Sequence, residues 1–195
     1  MNWGRAKRIQ TPLAREDAAS LRAGDWVLLT GVIYTARDQA HRRMVEAMVA
    51  GRELPVSLMG QTIYYCGPTP ARPGRVIGSA GPTTSSRMDK YLEPLLGLGV
   101  LATIGKGERS KEAKALFQRF GALYLVSIGG AGAYLSERIK KARVAAWPDL
   151  GPEAVHELWV RDFPALVAYD AEGGDYFAAV KKRCAARSGC GPKKR

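Results

Sequence analysis

The stretch GPTTSSRMDK, Gly81 to Lys90, places a Gly-Pro turn, four consecutive hydroxyl residues and an arginine within seven positions. Gly81 and Pro82 set a turn, which leaves Thr83, Thr84, Ser85 and Ser86 just ahead of a helix expected to start at Arg87 or Met88. A Ser/Thr run before a helix ordinarily supplies an N-cap, but one cap does not require four hydroxyls. Hydroxyls, backbone N–H groups and a guanidinium at a helix start form an anion site. Arg87 can grip a carboxylate through two parallel bonds. Carboxylate and phosphate both suit the site, and its chemistry does not choose between them.

On either side of this stretch, strand and helix patterns alternate. Trp26 to Ile33 is an apolar, β-rich run of strand length. Asp38 is placed to cap QAHRRMVEAMVAG, in which Ala40, Met44, Ala47 and Met48 recur at helical spacing and Gly51 supplies the stop. Thr62 to Cys66 reads as a second strand entering a Pro/Gly-rich loop, with short β-like pieces in RVIGSA. MDKYLEPLLGLGV is an amphipathic helix broken near Gly97 and Gly99, and LATIGKG is a buried strand ending on a Gly-Lys-Gly loop. A helix over Lys111 to Phe120 and a strand over Ala122 to Ile128 follow. SERIKKARVAAW is short and basic, and VHELWVRDFPALVAYDAEGGDYF supplies one or two further strands. Without a repeat of 20–50 residues, the class is α/β or mixed α+β in one domain. The expected division is an N-terminal extension over 1–20, the domain over 21–180 and a basic, flexible tail over 181–195.

Composition removes several classes. The chain has 195 residues, 46% hydrophobic and 25% charged, which is ordinary for a globular domain. No run of ~18 apolar residues suggests a membrane span. The N-terminus MNWGRAKRIQTPLARED lacks the apolar region of a signal peptide, so the cytoplasm is the default expectation. The net charge of +12 is concentrated at the end. From Tyr176 onward there are seven basic residues and no acidic one, which leaves 23 basic against 18 acidic residues before it. Such a tail can hold nucleic acid non-specifically, dock on an acidic partner or aid solubility. A nucleic-acid-binding protein is therefore the competing class, although no zinc site, helix-turn-helix or aromatic RNA-binding signature accompanies the charge. Cys66, Cys184 and Cys190 are an odd count with no CxxC pair, which argues against a disulfide framework or a zinc ribbon, and no metal site is expected on this chain.

Other segments carry weaker chemical signals. GVLATIGKGE fails as a P-loop, since five residues rather than four precede Gly105-Lys106 and Gly107 follows. IGGAGAYL reads as a tight turn, or as backbone N–H groups that meet an anion. Arg37 stands where a strand gives way to a helix, as a carboxylate clamp or a surface charge. His41 suits packing or capping better than base catalysis. Lys106, between two glycines after an apolar strand, is either a ligand contact or a solvated turn lysine.

TARDQAH, YYCGPTP, GPTTSSRMDKY and GKG, in this order and approximate spacing, resemble the beta subunit of iron–sulfur-dependent class I fumarate hydratases and tartrate dehydratases, equivalent to the C-terminal domain of single-chain members. The similarity runs from about Leu21 to Phe177. It implies a swivelling β/β/α domain that works beside an alpha subunit, in a hetero-oligomer, on a four-carbon dicarboxylate. The resemblance places the 4Fe-4S cluster on the alpha subunit and not on this chain. It further implies Thr83 and Lys106 as catalytic residues, Thr83 moving the proton next to a carboxylate, and Arg37, Arg87, Thr84 and Ser85 as substrate-binding residues. Fumarate and tartrate are not separated by these motifs, and the tail with Cys184 and Cys190 belongs to none of them.

Overall fold

The alternation expected from hydrophobic spacing becomes a sheet that closes on itself. A computed structural model describes residues 4–188. It contains β1 (Lys7–Thr11), α1 (Arg15–Ser20), β2 (Trp26–Thr35), α2 (Asp38–Val49) and β3 (Thr62–Tyr64). A 3-10 turn over Ser85–Met88 runs into α3 (Asp89–Gly97), followed by β4 (Ala102–Gly105), α4 (Lys111–Phe120), β5 (Leu123–Val126) and α5 (Gly132–Ser136). β6 (Ile139–Ala146), β7 (Val155–Tyr169) and α6 (Tyr176–Ser188) complete the described elements.

The strand order is β1-β2-β3-β4-β5-β7-β6, and β7 also pairs with β2. β1 through β5 are parallel neighbours. β7 runs antiparallel to β2, β5 and β6. The pairings β2–β3–β4–β5–β7–β2 therefore make a circuit. Alternate side chains of a strand face opposite ways, and here each face has its own core. Tyr64, Ile104, Leu125, Leu158, Val160 and Phe163 belong to one cluster, shared with Ile9 and Leu13 from the N-terminal segment. Ile63, Tyr65 and Tyr124 pack instead with Met44 of α2, Leu92 of α3 and Phe117 of α4. The result is one domain of mixed strands and helices, with α2, α3 and α4 packed on one face of the parallel strands.

Several boundaries differ from those expected. Residues 1–20 were expected as an extension, yet β1 pairs in register with β2 and Ile9, Leu13 and Ala18 are buried in the core. Burial of that apolar surface makes β1 and α1 part of the domain. Asp38 is the first residue of α2 rather than its cap, and Arg37 holds the cap position. The basic stretch after Ser136 is the edge strand β6, whose exposed Lys140, Lys141 and Arg143 suit an unpaired edge. β7 is one fifteen-residue strand that pairs with β2 over Glu157–Leu166 and with β6 over Val155–Val160, with Asp162 at a positive φ of 50° beyond the β6 pairing. RVIGSA contains no strand among the described residues. The expected tail begins as ordered helix: α6 reaches Ser188, with Phe177 edge-on to Tyr169. Residues 189–195, including Cys190, lie outside the described residues. The helix over Lys111–Phe120 forms as expected, with the Ser110 hydroxyl accepting from Ala113 N–H and Gly121 closing it in the left-handed region.

Candidate active site

Because β2 to β5 are parallel, their carboxyl ends lie along one edge of the sheet, where open α/β sheets bind ligands. Arg37 follows β2, Cys66 and Gly67 follow β3, and Lys106 follows β4. The hydroxyl run is stitched between two of these ends. Thr83 N–H donates to the Tyr65 carbonyl at 2.7 Å, and Lys106 N–H donates to the Thr83 carbonyl at 3.2 Å. Ser85 N–H returns a bond to the Lys106 carbonyl at 3.0 Å, so that Thr84 and Lys106 pair as an isolated parallel bridge. The backbone thus brings Thr83, Thr84 and Lys106 together. Thr83 is half-buried, whereas Thr84 and Lys106 are exposed. Among the described residues, neither threonine hydroxyl nor the lysine ammonium has a hydrogen-bond or ion-pair partner.

Two arginines flank this group through one carboxylate. Arg87 donates from Nε and Nη2 to the two oxygens of Asp38, at 3.1 and 2.5 Å. Asp38 Oδ2 also lies 4.0 Å from Arg37 Nε, and Arg37 Nη2 is 3.6 Å from Glu153. Arg37 Nε is buried with no hydrogen-bond partner. Burial would raise the Asp38 carboxyl, but the Arg87 bonds and the fields of Arg87 and Arg37 outweigh it and hold the group below its usual value. Asp38 occupies the Nε side of the Arg87 fork, which leaves the outer Nη1–Nη2 edge for a second anion. Gly67 lets Arg37 lie close, since a Cβ at that position would come within 2.7 Å of Arg37 Nη1.

The structure corrects the expectation that Ser85 faces a ligand. Ser85 is fully buried, and its hydroxyl is engaged by Lys106 N–H at 3.1 Å and Tyr124 Oη at 2.9 Å. Gly105 makes this possible, because a Cβ there would overlap the Ser85 hydroxyl. His41 is buried and bonds through Nδ1 to the Arg37 carbonyl at 2.8 Å. It packs edge-on to Tyr65 and stacks on Tyr91. Burial lowers its pKa to about 4, so the ring is neutral and structural.

Sequence reasoning missed a buried ion pair beneath the site. The Arg109 side chain is fully buried and its Nε donates to Asp89. Asp89 also accepts Ser110 N–H at 2.9 Å. The guanidinium lies 5.4, 5.4 and 5.1 Å from the ring centroids of Tyr65, Phe117 and Tyr124. The aspartate of the RMD triplet thereby bolts the start of α3 to the loop that carries Lys106. The available signal was Asp89 itself, within the opening stretch; Arg109 has no local feature that distinguishes it from a surface arginine.

Of the two described cysteines, Cys66 does not fit as an iron–sulfur ligand. Cluster ligands are thiolates, and burial pushes the Cys66 thiol up to about 12. Cys184 is exposed on α6. No three His, Cys, Asp or Glu side chains converge on a metal position among the described residues. Nor is any helix there long and apolar enough to cross a membrane.

Fold and site together define an α/β domain with a cationic, hydroxyl-rich cluster at the carboxyl edge of its parallel strands. The family model described as Fumarase C-terminus matches residues 4–180, and the chain belongs to that family. It is 41% identical over 160 residues to the anaerobic class I fumarate hydratase of Escherichia coli (strain K12), covering 80% of this chain and 29% of that protein. It is 39% identical over 166 residues to fumarate hydratase 2 of Leishmania major, covering 84% of this chain and 29% of the relative. The chain thus spans less than a third of these relatives. A putative L(+)-tartrate dehydratase subunit beta from Methanocaldococcus jannaschii is 38% identical over 177 residues, with 88% of this chain and 91% of the relative covered.

Proposed function

We propose that this chain is the beta part of an iron–sulfur hydro-lyase that interconverts fumarate and malate, acting as a swivelling β/β/α domain that closes over substrate held by an alpha subunit. The observation that carries the reading is the bridged pair of loops that, among the described residues, leaves the Thr83 and Thr84 hydroxyls and the Lys106 ammonium without a partner, with Arg37 and Arg87 on adjoining segments. Arg37 and Arg87 grip the substrate carboxylates, Arg87 through the edge that Asp38 leaves open. Thr84, exposed at the bridge, donates to a carboxylate oxygen.

Thr83 moves the proton at the carbon next to a carboxylate. A threonine hydroxyl is a weak base, and an adjacent cation lowers the cost of its alkoxide. Lys106, fixed to the Thr83 carbonyl through its own N–H, supplies that cation. Loss of the proton places negative charge on the substrate carboxylate, and preorganised cations stabilise it best where water is excluded. Closure against the partner supplies the exclusion. The cluster belongs to the alpha subunit in this proposal, and when bound there it contributes Lewis acidity toward the hydroxyl that is added or removed.

L-tartrate dehydration is the second reading, favoured by the near-complete coverage of the relative named as a tartrate dehydratase beta subunit. An anaerobic assay of the chain mixed with its alpha subunit, following fumarate by ultraviolet absorbance and tartrate in parallel, tests both. Activity in the mixture that falls about 100-fold or more in Thr83→Ala and Lys106→Met supports the assignment. Normal turnover in Thr83→Ala would remove Thr83 from the proton step, and inactivity with both acids would overturn the proposed activity.

A further inference from the structure

Tyr124 and Ser85 form, with the Lys106 loop, a hydrogen-bond chain whose direction follows from valence. Tyr124 Oη lies 2.6 Å from the Gly107 carbonyl and 2.9 Å from Ser85 Oγ. A carbonyl only accepts, so the single phenolic proton goes to Gly107. The phenol oxygen must then accept the Ser85 hydroxyl proton. Ser85 Oγ, whose proton is committed to Tyr124, accepts Lys106 N–H at 3.1 Å, a proton that it shares with the Thr83 carbonyl at 3.2 Å. The chain therefore leaves the GKG loop at Lys106, passes through the hydroxyl run and β5, and re-enters the same loop at Gly107.

Each member is held. The Tyr124 ring stacks on Phe117 at 5.8 Å, tilts against Tyr169 at 5.3 Å and lies beneath the Arg109 guanidinium. Burial keeps the phenol well above its usual pKa, so it remains a donor. Ser85 is fully buried and cannot rotate its hydroxyl toward solvent for a replacement partner.

We propose that Ser85 and Tyr124 are positioning residues, which set the Lys106 loop against Thr83 without touching substrate. The inference rests on the reading of Thr83 and Lys106 as the reacting pair. Loss of one such bond shifts the balance between aligned and misaligned loops by about 2- to 10-fold.

The test uses the full chain with its alpha subunit and the variants Tyr124→Phe and Ser85→Ala. Three quantities are measured: Lys106 amide hydrogen exchange, the split of kcat against KM, and the primary isotope effect with malate deuterated at the carbon that loses its proton. The expected result is faster Lys106 exchange, kcat lowered about 2- to 10-fold, KM within about twofold of wild type and a larger isotope effect. Unchanged Lys106 exchange in both variants overturns the proposal. So does a fall in kcat with exchange and isotope effect unchanged, which reports only a loss of folded enzyme. If Tyr124→Phe fails to fold, Ser85→Ala decides alone. If the wild-type mixture turns over neither acid, the proposed activity fails, and Lys106 exchange still decides the positioning role.

Discussion

Arg109 and Asp89 are twenty positions apart, yet they form a buried ion pair that fastens the RMD segment to the loop carrying Lys106. Removing one partner of such a pair leaves an uncompensated charge in the core, a loss of about 3–5 kcal/mol. Asp89→Leu and Arg109→Met are each expected to lower the unfolding free energy by that order, read from urea unfolding curves. The double variant is expected to recover part of it, because it removes both charges at once. Strict additivity of the two losses in a double-mutant cycle would show that the pair does not act as a unit.

Asp38 holds Arg87 by the inner edge of its fork, and under the proposed function its loss acts on substrate binding. Asp38→Asn is expected to raise KM for the dicarboxylate about 3- to 10-fold with a smaller change in kcat, since the guanidinium loses its aim rather than its charge. Steady-state kinetics of the assembled enzyme checks this. Because the Asp38 carboxyl is held below its usual value, its clamp is fully present above the ordinary carboxylate range and is lost as pH falls below it. The substitution is therefore not expected to change the pH profile between 6 and 8.

His41 links acid stability to the site through the Arg37 carbonyl. Its pKa is about 4 in the fold against the ordinary 6.5. The unfolded chain binds more protons between those values, so stability is full above pH 6.5 and declines as pH falls toward 4. The whole decline from this group is roughly 3 kcal/mol. His41→Asn, whose amide can still donate to the Arg37 carbonyl, is expected to flatten that slope. Urea midpoints measured from pH 7 to 4 would show it, and equal slopes in the two proteins would remove His41 as the cause.

Gly105 has no room for a side chain, since a Cβ would overlap Ser85 Oγ and stand 3.0 Å from the Tyr65 ring. Gly105→Ala is expected to destabilise the fold by about 1–3 kcal/mol and to push the hydroxyl run from the GKG loop. Thermal melts and turnover should fall together. A variant with full turnover would mean that the loops tolerate a separation that their hydrogen bonds do not suggest.

The sequence by itself determined the local pieces and the residue types of the candidate site. Ser110 and Gly121 bracket α4 because capping acts over neighbouring residues. Thr83, Thr84, Arg87 and Lys106 stand out as candidates in the sequence because four hydroxyls, a guanidinium and a lysine between glycines exceed what turns and caps require. Tertiary structure decided which of those groups face outward. Ser85 and Thr84 are adjacent and chemically alike, but Ser85 turns inward because Tyr124, thirty-nine positions away, and Lys106, twenty-one away, receive it there. The same holds for Lys7–Thr11, whose few apolar residues acquire a core only when β2 lies beside them. Local composition records propensity and chemistry, whereas burial and hydrogen-bond direction are properties of partners that only the closed sheet brings within reach.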